Sequence, residues 1–357
     1  MELFDFRNYA HAELGFDGGL TAILGDNGQG KTNLLEAIGV SGGIGSVVGV
    51  PHACLVRQGA DLAVVRCQVR TDNERDILIE SEISGSGRNR FRLNKQNLSR
   101  RRDLLGVLTL TVFAPTDLML VKGSPVERRR WIDNALSTIE PKFGLHCSEI
   151  ERILRQRNAL LKQIAKKVDT HAFATLDVWD NKLAKVGGII RAGRRKLLQK
   201  ISPKLNTDYR HMAGRKAVVC ARYESSWDEE TLLDALVEAR ETDVRRRYST
   251  VGPHRDDIEL LVDGMPARTH ASQGEQRSLA IALRLAVDAE IRECRRLRTV
   301  VLLDDVFSEL DVIRANALLE ILPPGQHILT STTAMLPDGA KPDQIVDIQS
   351  GTLSIRS

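Results

Sequence analysis

The sequence lacks the features of a membrane-embedded or secreted protein. Its 357 residues contain no uninterrupted apolar run of the roughly 18 residues that a membrane-spanning helix needs. The opening segment Met1–Asp5 lacks the basic and then apolar order of a secretory signal. The five cysteines are scattered without a C-x-x-C pair, which argues against a disulfide framework and a zinc site. We therefore expect a cytosolic protein.

Aromatic residues are also scarce, at 4% of the chain, which disfavours extensive stacking on nucleic-acid bases. Positive charge is present instead, in a formal net charge of +4 and in several clusters. The segment Arg88–Arg102 contains seven basic residues and no acidic one, and further clusters lie at Arg128–Arg130, Arg191–Lys200 and Arg245–Arg247. One such cluster is typical of a solvated face. Several together favour contacts with a phosphate backbone.

A strand, a glycine-rich loop and a helix follow one another near the start of the chain. The apolar run Leu20–Leu24 leads into a loop that fits G-x-x-x-x-G-K-[ST] at every position, and helical character follows from Asn33. In this loop backbone N–H groups surround phosphates, Lys31 reaches the β- and γ-phosphates, and Thr32 offers a hydroxyl to Mg²⁺. The predicted ATP-binding residues are Gly25, Asp26, Asn27, Gly28, Gln29, Gly30, Lys31 and Thr32.

A second strand predicts the metal site and the catalytic carboxylate. Val300–Leu303 is an apolar run that ends in Asp304 and Asp305, as buried parallel strands end beside their ligands. Asp304 is predicted to hold Mg²⁺ together with Thr32, directly or through water. Asp305 is predicted to orient or deprotonate the attacking water, with Lys31 as the second catalytic residue.

A serine and a glycine at the start of a later helix decide the class of ATPase. Ala271–Gln276 precedes a long amphipathic segment, and Ser272 and Gly274 lie at its N-terminus. Such a terminus is usually only a capped helix, but it can also bind an anion. Because one P-loop already holds the chain's own nucleotide, we expect Ser272 and Gly274 to close on the nucleotide of a second copy, in trans.

The remaining segments set the expected architecture. Strands are predicted at Leu62–Val69, Asp76–Ile83 and Asn89–Asn94, and the turn Asp17–Gly19 predicts a hairpin between Ala12–Phe16 and Leu20–Leu24. Ser148–Glu151 has the spacing of a capping box that would open a helix. A second helix carries Trp179, Leu183, Val186, Ile190 and Leu197 on one stripe, so the two helices suggest an antiparallel hairpin or arm.

Together these motifs make the chain similar to the RecF family from end to end. The resemblance is carried by Phe6–Tyr9, the P-loop through Ile38, Pro115–Leu118, Lys122–Asp133, Ser249–Asp257, Ser272–Arg277 and Leu302–Asp311. It implies an α/β ABC-ATPase head, with a mixed sheet and an antiparallel β region, a helical second lobe and no long coiled coil. The expected segments are an N-terminal ATPase lobe (1–122), a helical lobe (123–248) and a C-terminal ATPase half (249–357) that packs with the first.

The resemblance also implies a function. Members of this family dimerise on ATP, bind single-stranded or gapped DNA, and work with RecO and RecR in recombinase loading, fork maintenance and the SOS response. A weak, DNA-stimulated ATPase activity is expected, because Asp305 stands where transporters carry a longer glutamate. No histidine follows the strand His327–Thr330, where transporters place a switch residue.

Two other interpretations remain open at this point. A transporter's nucleotide-binding subunit would share the P-loop, but Ser272 lies 240 positions after Thr32 (272 minus 32), which is far more than transporters need. A small-molecule kinase would leave the element at Ser272–Gln276 unexplained. Dimerisation driven by ATP would separate the leading interpretation from the kinase.

Overall fold

This computed structural model describes residues 1–47, 49–71, 74–166, 170–227, 231–332, 336–337 and 339–356, and only the backbone at 102 and 170. Contacts within the chain form two compact units. The first unit comprises Met1–Asp117, His211–Gly214 and Ala280–Ser357, and the second comprises Leu118–Arg210 and Arg215–Leu279. The three sequence segments proposed above are a different division, and they remain a prediction.

The strands and helices of the described residues are numbered in chain order. The strands are β1 (Glu2–Phe6), β2 (Tyr9–Glu13), β3 (Leu20–Leu24), β4 (Leu62–Arg70), β5 (Asp76–Ser84), β6 (Arg90–Leu93), β7 (Gln96–Leu98), β8 (Leu110–Phe113), β9 (Val219–Glu224), β10 (Asp257–Val262), β11 (Met265–Pro266), β12 (Val300–Asp304), β13 (His327–Ser331), β14 (Gln344–Gln349) and β15 (Thr352–Ile355). The α-helices are α1 (Lys31–Ser41), α2 (Met119–Lys122), α3 (Pro125–Ile139), α4 (Pro141–Ile164), α5 (Thr170–Ala213), α6 (Leu232–Glu238), α7 (Arg240–Arg246), α8 (Ala267–His270), α9 (Gln273–Arg295) and α10 (Val312–Ile321). Short 3-10 helices lie at His52–Leu55, Arg101–Leu104, Pro115–Leu118 and Val306–Glu309.

The first unit contains two six-stranded sheets. One is antiparallel, in the order β2-β1-β4-β5-β6-β7, and the other is mixed, in the order β15-β14-β3-β13-β12-β8. In the mixed sheet β3, β8, β12, β13 and β14 run parallel, and β15 is antiparallel to β14. The expected mixed sheet and antiparallel β region are therefore confirmed.

Alternating side chains of the mixed sheet contribute to two hydrophobic cores. Ile23 and Leu302 point into the core that contains α1 and the antiparallel sheet. Their neighbours Leu24 and Leu303 join the opposite core, which contains Ile281 of α9 together with residues of α10. Because a strand turns successive side chains to opposite faces, both faces of these strands are buried, as the continuous apolar run Val300–Leu303 predicted for β12.

The predicted hairpin at Asp17–Gly19 is wrong. β2 pairs with β1 in the antiparallel sheet, whereas β3 lies between β13 and β14 in the mixed sheet. The physical reason is burial. β2 has an exposed face, but every residue of β3 after Leu20 is buried, which requires a neighbour on each side.

The second unit contains helices and a small sheet. The strands β9, β10 and β11 form a three-stranded antiparallel sheet, and α3 packs on β10. α4 and α5 form the predicted antiparallel pair, because Arg157 contacts Asp180, while further along α4 Leu161 packs near Leu176 on the preceding turn of α5. The helical second lobe is thus confirmed, with a small sheet in addition.

The predicted start of the first long helix is wrong. α4 begins at Pro141, so Ser148 lies within the helix and its hydroxyl donates to the carbonyl of Gly144 at 3.0 Å. Proline at the first helical position has its φ already set and needs no N–H partner. The helix therefore starts seven residues before the apparent capping box (148 minus 141).

Candidate functional site

The P-loop connects β3 to α1 and leaves the N-terminus of α1 open to an anion. Gly30 is the N-cap, in the left-handed region at φ 115°, and no side chain caps the helix. A Cβ atom at Gly30 would lie 2.5 Å from Nδ2 of Asn8, and one at Gly25 would lie 2.5 Å from the carbonyl oxygen of Ile348. Both positions therefore need glycine. With no acidic residue in its first turn, α1 keeps its free N–H groups for a phosphate.

Lys31 lies inside this loop. Its Nζ donates to the carbonyl oxygens of Gly25 at 2.6 Å and Asp26 at 2.9 Å, and the residue is 7% exposed. Burial lowers the pKa of Lys31, while Asp305 and other nearby carboxylates oppose the shift. The ammonium group is thus held by the loop that would surround the phosphates, where it can exchange carbonyl partners for phosphate oxygens.

Thr32 and Asp304 come together although they are far apart in sequence. The hydroxyl of Thr32 donates to Oδ1 of Asp304 at 2.9 Å, and the hydroxyl of Thr330 donates to the same oxygen at 2.8 Å. Burial raises the pKa of Asp304, and these two hydrogen bonds oppose the shift. A hydroxyl and a carboxylate oxygen side by side suit Mg²⁺, which is usually bound by one or two protein oxygens plus phosphates and water.

No full protein cage for a metal is present among the described residues, which contain no cluster of three or more His, Cys, Asp or Glu placed to hold an ion. The pair Thr32 and Asp304 therefore fits a cation shared with a nucleotide better than a resident metal centre. The assignment of both residues to Mg²⁺ stays a prediction.

Asp305 has an unusual backbone and an unpartnered oxygen. It adopts a left-handed conformation, with φ 50° and ψ 28°, and its N–H donates to the hydroxyl of Thr330 at 2.9 Å. Its Oδ1 is buried and has no hydrogen-bond partner in the described part of the chain. A buried unpaired carboxylate oxygen is costly, and strained backbone concentrates at functional sites. A water or ligand group that donates to Oδ1 would remove this cost.

The turn between β1 and β2 supports the P-loop. This support was not predicted from the sequence. Nδ2 of Asn8 donates to the carbonyl of Gln29 at 3.0 Å, and Oδ1 of Asn8 accepts from Asn33 at 2.8 Å. The buried hydroxyl of Tyr9 donates to the carbonyl of Gly30 at 2.9 Å. The only sequence signal was the family-like segment Phe6–Tyr9, without a role. The turn holds the tip of the loop from the side.

Two further contacts fix the same region. Arg7 donates to the fully buried carboxylate of Glu36 on α1, with Nη2 at 2.5 Å, and to the carbonyl of Cys54 at 2.9 Å. The side chain of Gln29 accepts from the N–H of Ser350 at 2.6 Å, in the turn between β14 and β15. Arg7 therefore holds α1 through Glu36, and the tip of the P-loop is fixed from both sides.

Ser272 and Gly274 lie at the start of α9, in the second unit. The hydroxyl of Ser272 accepts from the N–H of Glu275 at 3.3 Å, and the carboxylate of Glu275 accepts from the N–H of Ser272 at 2.9 Å. This is a capping box. Ser272 is exposed and Gly274 is partly exposed, so a second molecule can reach this end of the helix.

The end of β13 carries hydroxyl groups where transporters carry a switch histidine. Thr330 contacts Asp304, the last residue of β12, and Asp305, which follows it. Oγ of Ser331 is buried and has no hydrogen-bond partner among the described residues. Thr333, the last residue of the predicted histidine-free segment, lies outside the described residues. Thr330 is thus a further functional residue that the sequence did not single out.

The four basic clusters differ in how far ion pairs neutralise them. Arg128 is buried and forms a two-pronged pair with Asp257, with both contacts at 2.8 Å, and Arg129 donates to the carbonyl of Asp256 at 2.6 Å. Arg194 pairs with Asp133 and donates to the carbonyl of Pro253 at 2.7 Å. The family-like segments Lys122–Asp133 and Ser249–Asp257 are therefore joined to each other within the second unit.

The cluster Arg88–Arg102 is only partly neutralised. Arg92 pairs with Glu82 at 2.8 Å, and Nη1 of Arg101 lies 3.3 Å from the ring of His52. Arg88, Lys95 and Arg100 are exposed, and none has an ion pair in the part of the chain that the structure describes.

Among the described residues, no helix is long and apolar enough to span a bilayer.

Comparisons with known proteins agree with this architecture. A family model for the RecF/RecN/SMC N terminal domain matches residues 1–351. DNA replication and repair protein RecF of Streptomyces avermitilis is 40% identical over 347 residues, 93% of this chain and 92% of the relative. RecF of Frankia alni is also 40% identical, over 93% of this chain and 92% of the relative.

Solved structures give the same result. The recombination mediator protein RecF with ATP superposes with a TM-score of 0.90 at 28% identity, covering 100% of this chain and 96% of that one. An Smc head domain derived from Pyrococcus furiosus matches with a TM-score of 0.58 at 17% identity over 99% and 94% of the two chains, which concerns the fold alone. The transporter and kinase interpretations find no support in these matches. The chain belongs to the RecF family of DNA replication and repair proteins.

Proposed function

We propose that this protein is an ATP-dependent DNA-binding protein of recombinational repair and replication-fork maintenance. The observation that carries the proposal is the convergence of Lys31, Thr32, Asp304 and Asp305 at the open N-terminus of α1. That arrangement suits a nucleoside triphosphate, and relatives of the same family have been solved with ATP.

The roles of the site residues follow from their positions. Backbone N–H groups of residues 25–32 would bind the α- and β-phosphates, and Lys31 would move from its carbonyl partners to the β- and γ-phosphates. Thr32 and Asp304 would hold Mg²⁺, which neutralises charge on the phosphates. Asp305, with its unpartnered oxygen, would accept a hydrogen bond from the attacking water. Its short side chain favours slow hydrolysis, and we expect DNA to stimulate it.

ATP would also join two copies of the chain. Ser272, Gly274 and the first amides of α9 are proposed to contact the γ-phosphate held by Lys31 and Thr32 of the partner copy. The γ-phosphate then supplies differential affinity for the dimer, because ADP lacks that group. In the cell this dimer would act at single-stranded or gapped DNA with RecO and RecR, in recombinase loading and SOS induction.

DNA binding should be electrostatic and should depend on ATP. The test measures affinity for gapped duplex DNA across a range of salt concentrations, with ATP and with ADP. We expect log K to fall with log salt, at a slope of about −0.7 to −0.9 per phosphate contact. The variant R88E/K95E/R100E should bind DNA more weakly and with a shallower salt slope. These three cations are exposed and have no ion-pair partner among the described residues, so each is available to a phosphate. Affinity that ignores both salt and nucleotide would contradict the proposal.

A further inference from the structure

Arg245 to Tyr248 form an exposed basic and aromatic surface at the C-terminal end of α7, here called the arginine–tyrosine surface. Arg245 and Arg246 end the helix, and Arg247 follows it in the left-handed region at φ 63°. All three arginines are exposed, and among the described residues none has an ion pair. The nearest acidic residue in sequence, Asp243, is buried and occupied by other partners. No described carboxylate therefore lies within ion-pair distance of these three arginines.

An aromatic ring lies beside these arginines. Tyr248 is 39% exposed, and the guanidinium carbon of Arg255 lies 4.8 Å from the centre of its ring. Arg255 is itself fixed, because Nε and Nη2 both donate to the carbonyl of Ser249 at 3.1 Å. A cation over an aromatic ring holds that ring in place. The exposed part of the Tyr248 ring is then available for stacking on a base.

The surface rests on a rigid buried network. Arg157, which is 0% exposed, donates to Asp180 at 2.7 Å, to Asp243 at 2.6 Å and to the hydroxyl of Ser249 at 2.8 Å. The N–H of Ser249 donates to Asn158 at 2.8 Å. The residue just after Tyr248 is therefore held by two side chains of α4. A preorganised surface loses little conformational entropy when a ligand binds.

We propose that the arginine–tyrosine surface binds a DNA single strand, with Arg245, Arg246 and Arg247 on its phosphates and Tyr248, backed by Arg255, stacked on an unpaired base. The contrast with Arg128 supports the choice of cluster. Arg128 forms an ion pair with Asp257, whereas Arg245, Arg246 and Arg247 have no ion pair among the described residues. A single strand is favoured over duplex because the bases of a duplex are already stacked on one another. The inference rests on the proposed DNA-binding function and names the DNA contact of the second unit.

The experiment measures binding of a fluorescent oligothymidylate and of a matched duplex to the full chain in ATP. R245E/R246E is compared with K182E/K185E, which changes the charge equally at exposed positions of α5 in the same unit, outside the four basic clusters. Loss of two phosphate contacts should make the salt slope for the single strand shallower by about 1.4, and the control should leave it unchanged. Tyr248→Ala should weaken single-strand binding roughly 5- to 150-fold, the range for one lost stacked base. Tyr248→Phe, which keeps the ring, should bind the single strand like the parent.

The possible outcomes separate this inference from the function on which it rests. A parent protein that binds neither probe defeats the proposed function. A parent that binds, with R245E/R246E indistinguishable from K182E/K185E, overturns the inference and leaves the function standing. If Tyr248→Ala weakens single-strand and duplex binding equally, the stacking contact is refuted. Melting curves of the four variants should match the parent, because the substituted side chains are exposed or, in Tyr248→Phe, keep the ring.

Discussion

Replacing Asn8 by alanine should weaken nucleotide binding although Asn8 is not part of the P-loop. The substitution removes two hydrogen bonds, to the carbonyl of Gln29 at 3.0 Å and from the side chain of Asn33 at 2.8 Å. An ordinary hydrogen bond contributes about 0.5–1.5 kcal/mol, and these exposed ones belong in the lower half of that range. Together they amount to about 1–2 kcal/mol, or roughly a 5- to 30-fold loss of affinity if all of it orders the loop.

The assay is calorimetric titration with ATP and with ADP, alongside Asn33→Ala as the matched variant that removes only the second bond. Asn8→Ala should weaken ATP and ADP equally, since the supported loop binds the phosphates that both nucleotides share. Asn33→Ala should show about half the loss of free energy. A loss confined to ATP would point to the γ-phosphate instead. Unchanged affinity in a folded Asn8→Ala protein would refute the reasoning that this turn positions the loop.

Three further predictions concern the nucleotide site itself. Lys31→Ala should abolish stable ATP binding without lowering the melting temperature by more than a few degrees, and unchanged affinity would defeat the site assignment. In sedimentation with ATP, Asp305→Asn should stabilise the dimer by slowing hydrolysis, whereas Ser272→Arg should remain monomeric while binding ATP normally; a dimeric Ser272→Arg would reduce that element to a helix cap. Finally, Mg²⁺-dependent ATP affinity should fall on acidification at a pH above the ordinary aspartate range. The reason is that burial raises the pKa of Asp304 and only its ionised form binds the cation well. Asp304→Asn should be insensitive to pH over that interval.

The sequence by itself determined the parts of this protein that consist of neighbouring residues. The P-loop follows β3 and precedes α1 without a gap, so its glycines, Lys31 and Thr32 could be assigned directly. The continuous apolar run of β12 predicted a buried parallel strand, and the structure places it inside the mixed sheet. Periodicity also found the long helix α5, because its stripe repeats every three to four residues over several turns.

Only the tertiary structure decided which distant residues meet. Asn8 reaches Gln29, Thr32 reaches Asp304 and Arg128 reaches Asp257 across 21, 272 and 129 positions. No local pattern records such pairs, because they depend on how sheets and helices pack. The basic clusters illustrate the consequence: Arg128–Arg130 and Arg245–Arg247 look alike in sequence, but only the structure shows that Arg128 is buried and paired with Asp257.

The two S-x-x-E segments show the same limit most directly. Ser148–Glu151 lies inside α4, whereas Ser272–Glu275 caps α9 with reciprocal hydrogen bonds. The difference lies upstream of each motif. Pro141 starts α4 and the helix continues through Ser148, while Ala271, in an extended conformation at ψ 142°, ends α8 and separates it from α9. A capping motif can satisfy the amides of a helix end, but the backbone before it, fixed by the surrounding fold, decides whether a helix ends there.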